Sequence, residues 1–123
     1  MKQENKLFHY QAEITRVVDG DTVDAFIDLG FDLHSKQRVR LFGINTPECR
    51  TRDLEEKKRG FAAKAFVVQT LKKNKNKCVI KTRLDKKGKF GRVLGTLYVN
   101  DKNLNSMLVN EGHAERYYGG KRT

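Results

Sequence analysis

The feature that most limits what this chain can fold into is a change of hydrophobic rhythm at its only proline, Pro47. Before it, apolar residues alternate. In residues 10–18, Ala12, Ile14, Arg16 and Val18 fall on one face and Gln11, Glu13, Thr15 and Val17 on the other, the period-two pattern of a strand. Asp19-Gly20 is a turn signal, and residues 22–29 form a second strand candidate after it. Residues 30–36 read as a longer connection and 37–44 as a third strand. After Pro47 the residues 48–53 are charged and irregular. Phe61, Ala62, Ala65, Phe66 and Val68 then recur at three- and four-residue spacings, which predicts an amphipathic helix over 58–73. A polar break at 75–77 leads to a fourth strand over 78–84, a basic turn over 85–89 and a fifth strand over 92–99. Leu104, Met107, Leu108 and Glu111 predict a short helix stopped by Gly112. Three strands, a helix, two strands and a helix suit a small five-stranded barrel better than a helical bundle or a parallel sheet.

With 123 residues the chain is one domain, long enough to bury a core without staples. Residues 1–9 are polar and read as a flexible N-terminal segment, with the domain over 10–123. Charge is the outlying part of the composition: 26 Lys and Arg against 15 Asp and Glu, a formal +11. Its distribution is uneven. Residues 57–92 hold fourteen Lys and Arg and one acid, Asp85, a net +13, so the rest of the chain nets −2. Such a block favours a polyanion, either nucleic acid or an anionic membrane surface. No apolar run reaches the ~20 residues of a membrane span. Residues 1–10 lack the apolar stretch of a secretory signal, from which a cytoplasmic location is expected, unless a longer precursor is secreted. Cys49 and Cys78 lie 29 residues apart with no companion ligand, so they read as free thiols and exclude a disulfide framework.

Three clusters carry chemistry. Asp19-Gly20-Asp21-Thr22 sets two carboxylates around a glycine at a turn. In Arg40-Leu41-Phe42-Gly43-Ile44-Asn45-Thr46-Pro47-Glu48 an arginine leaves a strand just before an oxygen-rich loop. Phe90-Gly91-Arg92 releases a second arginine from the basic turn. Hard oxygen ligands without clustered Cys or His suit Ca²⁺ or Mg²⁺ rather than zinc, and two guanidiniums suit a phosphate. Each cluster also has a plainer use: Asp-Gly is a common hairpin turn, Thr-Pro-Glu can open a loop, and Phe-Gly-Arg can turn a basic hairpin. His9, His34 and His113 belong to none of the three and are expected at the surface or at helix ends. Met107 and Leu108 read as core.

In this order, from about Tyr10 to Tyr118, the clusters resemble the staphylococcal nuclease (thermonuclease) family. The resemblance implies an α+β, mainly β fold: a five-stranded OB-fold barrel with two to three helices. It further implies a calcium-dependent nuclease that hydrolyses phosphodiester bonds of DNA and RNA and leaves 3′-phosphate ends. Asp21 matches the calcium-binding aspartate and Thr46 the position whose backbone carbonyl faces the ion. Arg40 and Arg92 match the arginines that hold the scissile phosphate. Glu48 matches the general base, or the orienter of the attacking water. Tyr118, with Tyr117 beside it, matches a tyrosine lining the nucleotide pocket, and Lys89 and Phe90 fall in the same substrate-binding set. Single-stranded DNA and RNA are the expected partners, with no membrane, and the protein is expected to be a monomer.

This sequence departs from the family at two places. Asn45 stands where a second calcium-binding aspartate is usual; an amide oxygen still coordinates Ca²⁺, but one charge is missing and weaker binding is expected. Phe90 stands where tyrosine is frequent, which removes one hydroxyl worth about 1 kcal/mol to a phosphate. Asp19 is expected to serve the turn more than the site. A non-catalytic nucleic-acid-binding module with an impaired metal site is the alternative, disfavoured because Asp21, Arg40, Glu48 and Arg92 are all present.

Overall fold

The computed structural model describes residues 8–84 and 93–117. Strands β1 (His9–Asp19), β2 (Thr22–Gly30) and β3 (Leu33–Leu41) form an antiparallel meander. Alternation sends Ala12 and Ile14 of β1, and Val23, Ala25 and Ile27 of β2, into the core. A register shift after Ile14 then turns the strand, so Arg16 is exposed instead of continuing the buried face. The long connection expected over 30–36 is a correction. The loop is only Phe31-Asp32, both at positive φ (55° and 61°), the backbone of a two-residue hairpin turn. Its strands run past the barrel, where Leu33 to Arg38 are exposed apart from half-buried Ser35, so there was no alternation to read. Strand β3 also stops at Leu41, and Ile44–Asn45 forms a separate short strand, β4.

Helix α1 (Leu54–Lys72) begins four residues before the predicted 58. The Asp53 carboxylate accepts from the N–H groups of Glu55 and Glu56 at 3.0 and 3.3 Å, and this cap sets the start where hydrophobic pattern is silent. The buried face differs too. It is Gly60, Ala63, Val67 and Leu71, while Phe61 and Val68 are 48% and 40% exposed. Glycine and alanine mark a close approach of helix to barrel, a signal that weighting by large apolar residues misses.

Strand β5 (Lys77–Leu84) pairs antiparallel with β1, and β6 (Val93–Val99) with β5. The barrel closes where β6 runs parallel to β3, with Val39, Arg40 and Leu41 opposite Val93, Leu94 and Gly95. Strand β7 (Lys102–Asn103) turns back on β6 and leads into helix α2 (Leu104–Asn110). The helix is capped by the Asn103 side chain on the Ser106 N–H at 3.0 Å, and it ends before Gly112 (φ 79°) as predicted. Strand β8 (Glu115–Arg116) pairs with β4. Leu41, Ile80, Leu97, Leu104 and Leu108 are fully buried between barrel and helices. Cutting one such leucine to alanine costs about 2–5 kcal/mol. The result is the mainly β, closed five-stranded barrel expected, with two helices among the described residues. Neither of those helices is long and apolar enough to cross a membrane.

Candidate active site

The turn between β1 and β2 and the loop after β4 meet at one end of the barrel. Gly20, between the two carboxylates, is buried, and a Cβ there would lie 2.8 Å from the Ala63 Cβ and 3.0 Å from the Thr46 Cγ2. Only glycine lets the turn lie between helix α1 and the Thr46 loop. Gly60 does the same for the other side. A Cβ at Gly60 would lie 2.5 Å from the Glu48 carbonyl oxygen and 2.9 Å from the Cys49 nitrogen, so the backbone carrying Glu48 rests directly on the helix.

Asp21 is the centre of this contact. Its Oδ1 accepts from the Thr22 hydroxyl at 3.1 Å and its Oδ2 from the Thr46 N–H at 3.2 Å. The Arg40 guanidinium stands 3.7 Å from Oδ2. Arg40 Nη1 donates to the carbonyls of Leu41 and Ile44, both at 3.0 Å, and Nη2 donates to the Asn45 side-chain oxygen. Three of five guanidinium donors are thereby engaged, leaving two for an anion. The Tyr117 ring lies below it, 5.8 Å from Cζ, and the Tyr117 N–H donates to the Gly43 carbonyl at 2.8 Å. Arginine and tyrosine are thus fixed on one turn.

Asp19, Asp21, Arg40, Thr46 and Glu48 line a cleft of about 340 Å³, with Pro47 and Arg50 at its wall. One Asp19 oxygen is buried and has no hydrogen-bond partner among the described residues. Burial pushes the Cys49 thiol up, helped by its hydrogen bond to the Asp19 carboxylate. Among the described residues no three His, Cys, Asp or Glu side chains gather as a ready metal cage.

Of the residues singled out from sequence, Asp21, Arg40, Asn45, Thr46, Glu48 and Tyr117 come together here. Lys89, Phe90, Arg92 and Tyr118 lie outside the described residues. Asp19 does more than expected, since it both ends β1 and lines the cleft. None of the three histidines reaches it: His9 stacks on Tyr98 and His34 on Phe26, while His113 packs at a tilt against Phe66. Sequence reasoning missed Arg50, two residues beyond Glu48, and the buried Asn105. The Asn105 side chain donates to the carbonyls of Phe42 (2.9 Å) and Gly95 (3.1 Å) and accepts from the Leu97 N–H (3.2 Å). It ties helix α2 to the turn that carries Asn45 and Thr46.

Comparison with known proteins gives the same family. Residues 38–123 match the family described as staphylococcal nuclease homologue. Thermonuclease of Staphylococcus intermedius is 34% identical over 82% of this chain and 56% of its own length. Protein MJ1439 of Methanocaldococcus jannaschii is 30% identical over 89% of this chain and 60% of its own. Endonuclease YhcR of Bacillus subtilis is 29% identical over 89% of this chain but 9% of its own length. The chain spans at most 60% of the curated relatives named here.

Proposed function

The chain belongs to the staphylococcal nuclease homologues, and on that premise we propose that it is a calcium-dependent phosphodiesterase acting on single-stranded DNA and RNA. The observation that carries this reading is the meeting of Asp19, Asp21, Arg40, Thr46 and Glu48, from three segments, in one cleft. Structural packing does not require two acids, an arginine and a third carboxylate to converge on open space.

The donor set suits a hard divalent cation. Asp19 and Asp21 offer carboxylate oxygens, one of them buried and unbonded, and Thr46 offers its carbonyl. Since no cage of three side chains is present among the described residues, water and substrate phosphate would complete the shell. Asn45, expected as a ligand, gives its oxygen to Arg40, which takes up a lone pair it would otherwise offer the ion. A bound Ca²⁺ would add Lewis-acid stabilisation of charge on the phosphate oxygens.

The chain's own residues perform the rest. The two remaining Arg40 donors bind non-bridging oxygens as charge builds on them, the kind of contact that lowers such barriers most. Arg92 is the second arginine of the proposal. The Glu48 carboxylate takes a proton from water as its oxygen attacks phosphorus in line. The bond from phosphorus to the 5′ oxygen breaks, that oxygen is protonated, and the 3′-phosphate stays on the other fragment. Lys89, Phe90 and Tyr118, with Tyr117, are proposed to hold the flanking nucleotides.

The test is incubation with single-stranded DNA in calcium or in chelator. Cleavage to 3′-phosphate ends, abolished by chelator and by Glu48→Ser or Arg92→Ala, is the expected result. Binding without cleavage under any divalent ion overturns the enzyme and leaves a nucleic-acid-binding module.

A further inference from the structure

A second and larger cleft, of about 930 Å³, shares no residue with the first. Its charge is the reverse of the chain's. Glu13, Asp28 and Asp101 line it against Lys77, a formal −2 on a chain of +11. A nucleic-acid backbone drawn in by the basic block meets like charge here, so this surface is unsuited to the proposed substrate.

The walls are aromatic. Phe26 and His34 stack with centroids 4.4 Å apart and planes 4° apart, and His9 stands over Tyr98 at 6.3 Å. Strand register sets acid beside ring, with Glu13 opposite Phe26 across β1 and β2 and opposite Lys77 across β1 and β5, so Asp28 and Asp101 supply the acid that the lysine does not offset. A carboxylate next to an aromatic face is a fitting seat for a guanidinium or ammonium. The ring quadrupole attracts the cation, and the carboxylate accepts its N–H donors. The cleft is lined from His34 on β3 round to Tyr98 on β6, with β2, β1 and β5 between them. Its volume of about 930 Å³ lies at the upper end of the roughly 300–1,000 Å³ range of ligand pockets, room for a short peptide rather than a single amino acid.

We propose that this cleft binds an arginine- or lysine-bearing peptide segment of a partner protein. The site does not depend on the nuclease reading, since it uses none of the same residues. It gives the chain two faces of opposite preference, one for polyanions and one for polycations.

The probe is a fluorescein-labelled nona-arginine peptide, titrated with the full chain at low salt and followed by anisotropy. Glu13 and Asp101 are exposed, and Asp101 (φ 65°) is in a conformation that asparagine adopts readily, so Glu13→Gln/Asp101→Asn keeps the fold. That double variant should bind about tenfold more weakly or worse, while Asp21→Asn should leave the affinity unchanged. As a readout that needs no variant, amide shifts in the wild type should move at Gln11, Val79 and Tyr98. Shifts confined to Asp21 and Glu48, or equal loss in both variants, overturn the proposal by putting the peptide in the other cleft. So does single-stranded DNA that loses affinity on Tyr98→Ala, because the rings then serve nucleobases. Self-association that the double variant abolishes would make a second copy the occupant, and also overturns it.

Discussion

Gly60→Ala separates the placing of Glu48 from the stability of the fold. In a free helix the exchange stabilises by about 0.5–1 kcal/mol, because glycine loses more backbone entropy. Here the new Cβ would lie 2.5 Å from the Glu48 carbonyl oxygen and 2.6 Å from its carbon. Carbon and oxygen ordinarily approach no closer than about 3.3 Å, so the loop must retreat by nearly 1 Å. Overpacking of that kind costs about 1–3 kcal/mol, and the propensity gain offsets only part. The net loss of about 0–2 kcal/mol lowers the melting temperature by a few degrees. A displacement of about 1 Å at a reacting group costs about 100-fold in rate. Expected, then, is a folded protein with kcat down about two orders of magnitude and KM for single-stranded DNA little changed. Thermal melting and steady-state cleavage measure the two. A variant more stable than wild type with undiminished kcat would show that the loop does not rest on the helix, and would refute the reasoning.

Three further outcomes follow from the structure. Asn45→Asp restores one negative charge beside Asp21 and should lower the calcium needed for half-maximal cleavage; an unchanged requirement would mean that residue 45 serves only Arg40. Asn105→Leu leaves the Phe42 and Gly95 carbonyls and the Leu97 N–H without a side-chain partner. It should cost about 2–4 kcal/mol, read from urea denaturation, with activity falling as the turn loosens. Burial pushes the Cys78 thiol up to about 12, and Cys49 is raised as well. A colorimetric disulfide reagent at pH 8 should therefore modify neither thiol in native protein and both in denaturant.

What could be read before the structure was whatever neighbours in the chain decide. Strands β1, β2, β5 and β6 follow from alternation, and helix α2 ends at Gly112 because nothing but glycine suits that φ so well. The first half of β3 was illegible because it leaves the barrel and has no inside. The α1 start was hidden in a single capping side chain, Asp53, four residues ahead of the apolar pattern. Site legibility divides the same way. Asp21, Arg40, Thr46 and Glu48 were singled out by resemblance, but what holds them in one cleft was not. Gly20 and Gly60 matter only for residues far along the chain, Ala63 with Thr46 in one case and Glu48 in the other. Asn105 acts across 63 positions on Phe42. Such contacts have no local signature.

The closing pair of the barrel has a consequence in time. Arg40 sits in the middle of the three residues of β3 that join β6, and its turn is pinned by Asn105 on Phe42 and by the Tyr117 N–H on Gly43. All three restraints come from residues 93 and beyond. A chain still emerging from the ribosome has both turn carboxylates, Glu48 and the Leu41, Ile44 and Asn45 oxygens that hold the guanidinium early, yet lacks the pairings that pin its strand and turn to the rest of the barrel. The closed end of the barrel that carries the cleft is therefore complete only with the last quarter of synthesis, after the basic block of residues 57–92 has already been made.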